Sequence, residues 1–200
     1  MKENKIYTII FTFVISFLFV LILSIINSMT YDKVLENQNF SKIRAILNSM
    51  GIEYKDEKDA IKIFNSKIDQ IEIGGLKFYT TTINGEKIYS YIFSGSGLWG
   101  TITGVISVNE NVDRIIGIDI ISQNETPGLG GRIEEDWFKQ QFKGELVKDK
   151  IKIKVSGAST DFNKENSSVD AITGATLTSR FFINIINDSL EKIRNALRSE

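Results

Sequence analysis

The sequence predicts an α+β domain carried behind a single N-terminal transmembrane helix, with antiparallel hairpins and helices packed on one side of them. Three observations lead there. Ile6 to Ile26 is an almost unbroken apolar run. The middle of the chain carries two hairpin signals, and segments of helical periodicity lie on either side of it.

The apolar run comes first. Only Tyr7, Thr8, Thr12, Ser16 and Ser24 interrupt it, and no charge falls between Lys5 and Asp32. A spanning helix needs about 20 such residues. Lys2 and Lys5 precede it, which favours a cytoplasmic N-terminus. A cleaved signal peptide would have an apolar core of roughly 7–15 residues and a small-x-small site. This run is longer and ends Asn27-Ser28-Met29-Thr30. The expectation is an uncleaved, single-pass anchor in the cell inner (cytoplasmic) membrane, with the chain from about Tyr31 extracytoplasmic.

Residues 1–30 then form a cytoplasmic tip and anchor, 31–75 a juxtamembrane helical region, and 76–200 the main domain. Val34, Leu35, Ile43, Ile46, Leu47 and Met50 recur at helical spacing, and Gly51 reads as a stop. A second helix is predicted over Glu57–Asp69, with Ile61, Phe64 and Ile68 on one face. Gly74-Gly75 separates this part from the β-rich middle.

Lys77–Ile83 and Glu86–Phe93 flank Asn84-Gly85, a strong hairpin signal. Thr101–Val108 and Arg114–Ser122 flank a polar turn at Asn109–Asp113 and predict a second hairpin. Glu125–Gly131 is a loop. Ile133–Lys143 reads as a helix, with acidic residues in its first turn, Lys139 and Lys143 near its end, and Gly144 after it. Lys150–Val155 alternates as a short strand, and Ser156–Ser168 is a polar loop. A last helix starts near Thr176 or Thr178, with Phe181, Ile185, Ile186 and Ile193 inward.

Composition narrows the chemistry. The 200 residues are 42% apolar with a net charge of -1, enough for a core and without the basic excess that nucleic acid calls for. There is no Cys and no His. Thiolate-ligated iron–sulfur clusters, His-ligated haem, His or Cys zinc sites and Ser-His-Asp or Cys-His catalysis are therefore excluded. No metal site is expected. A redox role would need an organic cofactor held by other groups, and a Thr hydroxyl can do that.

Three motifs carry the functional argument. Asp170-Ala171-Ile172-Thr173-Gly174-Ala175-Thr176-Leu177-Thr178-Ser179 leads into the last helix. A helix N-terminus offers free N–H groups and a positive dipole end, which favour a phosphate. The plain alternative is that Thr173, Thr176 or Thr178 only caps the helix. Glu125-Thr126-Pro127-Gly128-Leu129-Gly130-Gly131 holds the only Pro of the chain beside glycines. Such a loop can wrap a flat ring system, though a simple strand-to-helix turn would use the same residues. Gly95-Ser96-Gly97-Leu98-Trp99-Gly100 places a Trp, a natural neighbour of a planar cofactor, where a core Trp at a strand start, with glycines for a bulge, is the plain alternative.

The first motif resembles the flavin-attachment pattern Asp-x-x-(Ser/Thr)-Gly-Ala-Thr. With the other two, and with Trp137 and Gln141-Phe142-Lys143-Gly144, most of the chain resembles the FMN-binding domain family. That family includes the C subunit of the Na⁺-translocating NADH:quinone reductase and the G subunit of the Rnf ferredoxin:NAD reductase. The resemblance implies that residues 76–200 are an extracytoplasmic FMN-binding domain, with covalent FMN joined by its phosphate to Thr176.

It further implies that a flavin transferase moves FMN from FAD onto Thr176, recognising Asp170, Thr173, Gly174 and Ala175. Trp99, Glu125, Thr126 and Leu129 match positions around the isoalloxazine. The implied role is electron relay within an ion-translocating (Na⁺ or H⁺) complex, in which the other subunits are partners and this one is not catalytic alone. Two rival functions remain: a stand-alone anchored flavin carrier serving another reductase, and a non-redox anchored binding module. The second rival predicts a colourless protein.

Overall fold

The computed structural model describes residues 5–155 and 163–198. Lys2, and residues 156–162 of the polar loop, lie outside the described residues. The chain divides into two compact units, residues 1–40 and 41–200.

Helix α1 runs Lys5–Met50. Its part in the first unit contains a window of mean hydropathy 3.1 in which no residue is buried. At the α-helical rise, the Ile6–Ile26 run extends about 31 Å, the thickness of a bilayer core. By length and composition it can cross a membrane. Val34 and Leu35 are also exposed.

The second unit begins with the last turns of α1. Gly51 (φ +74) ends the helix. Its N–H bonds to the Asn48 carbonyl (3.0 Å) and that of Ile52 to the Leu47 carbonyl (2.9 Å), the paired bonds of a glycine-terminated helix. Helix α2 (Glu57–Lys67) starts at Asp56, whose carboxylate accepts from Asp59 N–H (2.9 Å). It stops two residues before the predicted end. Asp69–Ile73 is instead strand β1, and Gly74-Gly75 is the turn joining it to β2 (Leu76–Ile83). Both glycines have positive φ (56° and 76°), which suits the tight turn of a hairpin rather than a boundary.

Strands β3 (Glu86–Ser96), β4 (Thr101–Asn109) and β5 (Ile115–Ser122) complete an antiparallel sheet in the order β1-β2-β3-β4-β5. Both predicted hairpins are present. Asn84 (φ 53) and Gly85 (φ 85) form the β2–β3 turn, which sets Ile83 opposite Glu86.

The sheet is buried on both faces, so the expectation of helices on one side is corrected. Phe78, Tyr89, Phe93, Ile102 and Ile106 point into a core shared with Phe182, Ile186 and Ile193 of the last helix. Their strand neighbours Tyr79, Ile88 and Val105 point the other way, onto Ala45, Ile46 and Met50 at the end of α1, with Phe64 and Ile68 packed alongside. Strand side chains alternate between faces. Here both alternations are apolar enough to need a cover.

The predicted helix over 133–143 is not one helix. A 3₁₀ turn spans Gly130–Glu134, Glu135 is extended (ψ 142), and α3 is only Asp136–Gln140. The break is held by side chains. Arg132 pairs with the Glu135 carboxylate (3.1 Å), and the Trp137 indole N–H donates to it as well. The Trp137 bond lowers the Glu135 carboxyl below its usual range, partial burial opposes this, and Arg132 adds to the lowering.

The predicted strand at 150–155 is β6 (Lys152–Lys154). It pairs in parallel with β7 (Ser168–Asp170), a strand at the head of the Asp170 motif where the pattern predicts only loop. Helix α4 is Thr176–Arg198. Its inward face is Thr178, Ser179, Phe182, Ile185, Ile186, Leu190 and Ile193. Phe182 is fully buried and Phe181 is 38% exposed, so the aromatic anchor lies one residue later than the pattern suggests.

Candidate functional site

The three motifs meet. A cleft of about 300 Å³ takes Leu98 and Trp99 from the β3–β4 connection, Thr126, Leu129 and Gly130 from the loop after β5, and Gly174 to Thr178 from the start of α4. Three segments distant in sequence share one wall. Of the predicted residues, Trp99, Thr126, Leu129, Gly174, Ala175 and Thr176 line it. Glu125, Asp170 and Thr173 do not.

The attachment motif is delivered from a rigid base. Asp170 ends β7 and is only 6% exposed. Gln141, fully buried, accepts from the Asp170 N–H (2.7 Å) and donates to its carbonyl (3.3 Å), so its amide stands in for a neighbouring strand. Ala175 N–H then bonds to the Ile172 carbonyl (2.9 Å), closing the turn through Gly174 (φ 79). The Ser179 hydroxyl ties the turn to the helix. It accepts from Ile172 N–H (3.0 Å) and donates to the Ala175 carbonyl (2.9 Å). Thr173 and Gly174 are left exposed while Ala175 is buried.

Ser179 N–H is the first of α4 to reach a helical carbonyl, that of Ala175 (3.0 Å). The amides of Thr176, Leu177 and Thr178 are therefore the leading donors of a 23-residue helix, beside its positive dipole end. The capping alternative is not what the structure contains. Thr176 is the first helical residue, and its hydroxyl has no hydrogen-bond partner among the described residues. The Thr178 hydroxyl turns inward to Glu125 Oε2 (2.7 Å).

Glu125 is a buried strut, 4% exposed. Its Oε1 accepts from the Trp99 N–H (2.9 Å) and its Oε2 from Thr178, so one carboxylate joins all three motifs. The Trp99 side chain is 72% exposed, which rules out the core-Trp alternative. Leu129 (45%) and Leu177 (55%) add exposed apolar surface around the same opening. Sequence reasoning gave Thr178 no role beyond capping, and gave Ser179 and Gln141 no role in the site. Gln141 belongs to the residues that carry the resemblance, but nothing local in the sequence says that its amide serves a strand 29 residues on.

A larger cleft of about 580 Å³ lies elsewhere, lined by Asn48, Tyr54, Asp119, Lys139 and Lys143 among others, and contains none of the motifs. Its buried groups satisfy one another: Asp119 accepts from Asn48 (2.7 Å) and Lys139 (2.9 Å). Burial pulls the Lys139 ammonium down, but Asp119, then Asp136, outweigh it and the net shift is upward from 10.5. The pairing therefore stabilises fully below that value and is lost as pH rises through the folded-state value. Thermal melts should show stability falling above about pH 10.5, and Lys139→Met should flatten that fall. Identical alkaline profiles for the two proteins would remove Lys139 from the account.

Comparison with known proteins matches residues 97–191 to the FMN-binding domain family. The chain is 35% identical over 127 residues to the C subunit of the Na⁺-translocating NADH-quinone reductase of Chlamydia caviae, covering 53% of this chain and 39% of that one. It is 27% identical over 146 residues to the G subunit of the proton-translocating ferredoxin:NAD⁺ oxidoreductase complex of Clostridium ljungdahlii, covering 68% and 71%. The chain thus spans well under two thirds of the reductase C subunit that it matches. The crystal structure of the corresponding reductase C subunit from Parabacteroides distasonis superposes with a TM-score of 0.68 at 24% identity, over 86% of this chain and 98% of that one, a likeness of fold. The matched stretch runs from the Trp99 loop into α4 and so takes in every wall of the cleft: it is through residues 97–191 that the chain is similar to the FMN-binding domain family.

Proposed function

We propose that this chain is a membrane-anchored flavoprotein subunit. In this reading FMN is attached through its phosphate to Thr176, and the subunit relays electrons within an ion-translocating oxidoreductase of the kind to which its relatives belong. The observation that carries the reading is the Thr176 hydroxyl. It lies in the wall of the cleft, unbonded among the described residues, on the first turn of a helix whose leading amides suit a phosphate.

Attachment balances as a transfer from FAD. The Thr176 Oγ1–P bond forms, the P–O–P bond breaks, AMP leaves, and the hydroxyl proton is lost to solvent or to the transferase. Thr173 and Gly174 are exposed where a transferase would bind, whereas Asp170 and Ala175 are buried. These two would act by shaping the turn. The bound flavin supplies one-electron chemistry, and the chain supplies position and surroundings. Trp99 and Leu129 offer apolar surface to the ring, with Thr126 beside them. The apolar run Ile6–Ile26 would hold the domain at the membrane, with the N-terminus cytoplasmic. It carries no intramembrane charge, so ion passage would belong to partner subunits.

Mass spectrometry of the tryptic peptide Glu165–Arg180, from cells with an active flavin transferase, tests the reading. An FMN-sized addition on Thr176 is expected. An unmodified peptide in the presence of the transferase would return the chain to the non-redox module. Trp99→Ala should keep the covalent flavin but raise its fluorescence or shift its potential, since ring stacking is noncovalent. Unchanged spectra and potential would remove Trp99 from the ring's surroundings.

A further inference from the structure

We propose that Glu125 is the positioning residue of the cleft, and that its charge lowers the reduction potential of a flavin held there. The inference rests on the reading of the cleft as a flavin site.

The geometry is specific. Glu125 presents one oxygen to the Trp99 amide (2.9 Å) and the other to the Thr178 hydroxyl (2.7 Å). Its own N–H is fixed by Gln123 Oε1 (2.5 Å). Two glycines make room for the carboxylate. A Cβ at Gly97 would lie 2.5 Å from Oε1, and one at Gly130 would lie 2.6 Å from the Thr178 hydroxyl and 2.9 Å from Oε2. One glycine from each of two motifs thus leaves room for the Glu125 carboxylate and its Thr178 partner. Both oxygens are engaged by protein donors, so Glu125 acts on the ring through Trp99 and through its field.

No ion pair offsets that field: among the described residues no Lys or Arg forms one with Glu125. Both donors are neutral, and hydrogen bonds from neutral groups stabilise the charge without removing it. In a poorly solvated setting such a charge is felt over several ångströms. An electron supplied by a neighbouring redox subunit adds negative charge to the ring, less so if a proton comes with it. The anion opposes that addition and so favours the oxidised flavin.

Substitutions separate the two roles. In Glu125→Gln the amide oxygen can still accept from Trp99 N–H, and the amide N–H can donate to the Thr178 hydroxyl. Geometry stays and charge goes. Glu125→Ala removes both. Thr178→Ala keeps the charge and removes one contact.

The test uses the full-length protein in detergent, flavinylated by a co-expressed transferase. Redox titration should move the midpoint of Glu125→Gln and of Glu125→Ala positive of wild type, and leave Thr178→Ala not positive of it. Hydrogen exchange should show the Trp99 amide protected in wild type and Glu125→Gln, and exposed in Glu125→Ala. Unmoved midpoints in both Glu125 variants, or an equal positive shift in Thr178→Ala, would overturn the electrostatic role. Unchanged exchange in Glu125→Ala would overturn the strut. A wild-type protein without flavin would overturn the flavin reading and the electrostatic role with it, and the exchange result alone would then decide the strut.

Discussion

Thr176→Ala should abolish covalent flavin completely while leaving the domain folded. In the proposed attachment Thr176 is the only residue that bonds to the cofactor, so the effect is all or nothing. Its effect on stability should be small, for reasons the structure supplies. The side chain is the first residue of α4, not its cap, and its hydroxyl bonds to nothing among the described residues. Alanine is also the better helix former. A change within about 0.5 kcal/mol is expected, the usual range for a surface position. Flavin fluorescence on a denaturing gel reads the attachment, and a denaturant melt reads the fold. A mutant that still fluoresces on the gel would move the attachment elsewhere, with Thr173 and Thr178 the next to examine. Thr178 is the poorer alternative, because its hydroxyl is 2.7 Å from Glu125 and buried.

That contrast shows what the sequence can and cannot say about the site. Three threonines in six positions look alike on paper. The helix start separates them: Thr173 in the turn, Thr176 at the first helical position, Thr178 facing the core. Local signals read well wherever the interaction is local. Asn84-Gly85 set its hairpin, and Gly51 ended its helix. Parallel pairing of β6 with β7 was invisible, because each strand is three residues long and its partner lies 16 residues away in sequence. Strand β1 was hidden for a different reason. Ile71 and Ile73 alternate, but the segment abuts a helical pattern, and Gly74-Gly75 looks like a break when it is a turn. The cleft itself was legible as three motifs without a geometry. What joins them is the Glu125 carboxylate, and no spacing rule relates its position to residue 99 or residue 178.

The largest loss of stability should come from Phe182→Ala, about 3–5 kcal/mol. Phe182 is fully buried, and its ring meets Phe93 of the sheet at 5.9 Å, Phe138 of α3 at 5.6 Å and Phe142 at 5.8 Å. It is the point at which α4, the sheet and the segment after the Glu125–Gly131 loop are packed together. Truncation removes the apolar contact and leaves a cavity that three other aromatic rings cannot easily close. The neighbouring Phe181→Ala should cost under about 1 kcal/mol, since that side chain is 38% exposed and touches none of those rings. The pair is decisive because the two residues differ by one step of helical rotation and by nothing in composition. Equal losses in denaturant melts would put the helix register in error, and with it the inward aim of Thr178. A large loss at Phe182 alone should also lower flavin loading. Thr178 sits one turn ahead on the same face, and its bond to Glu125 holds only while α4 stays docked.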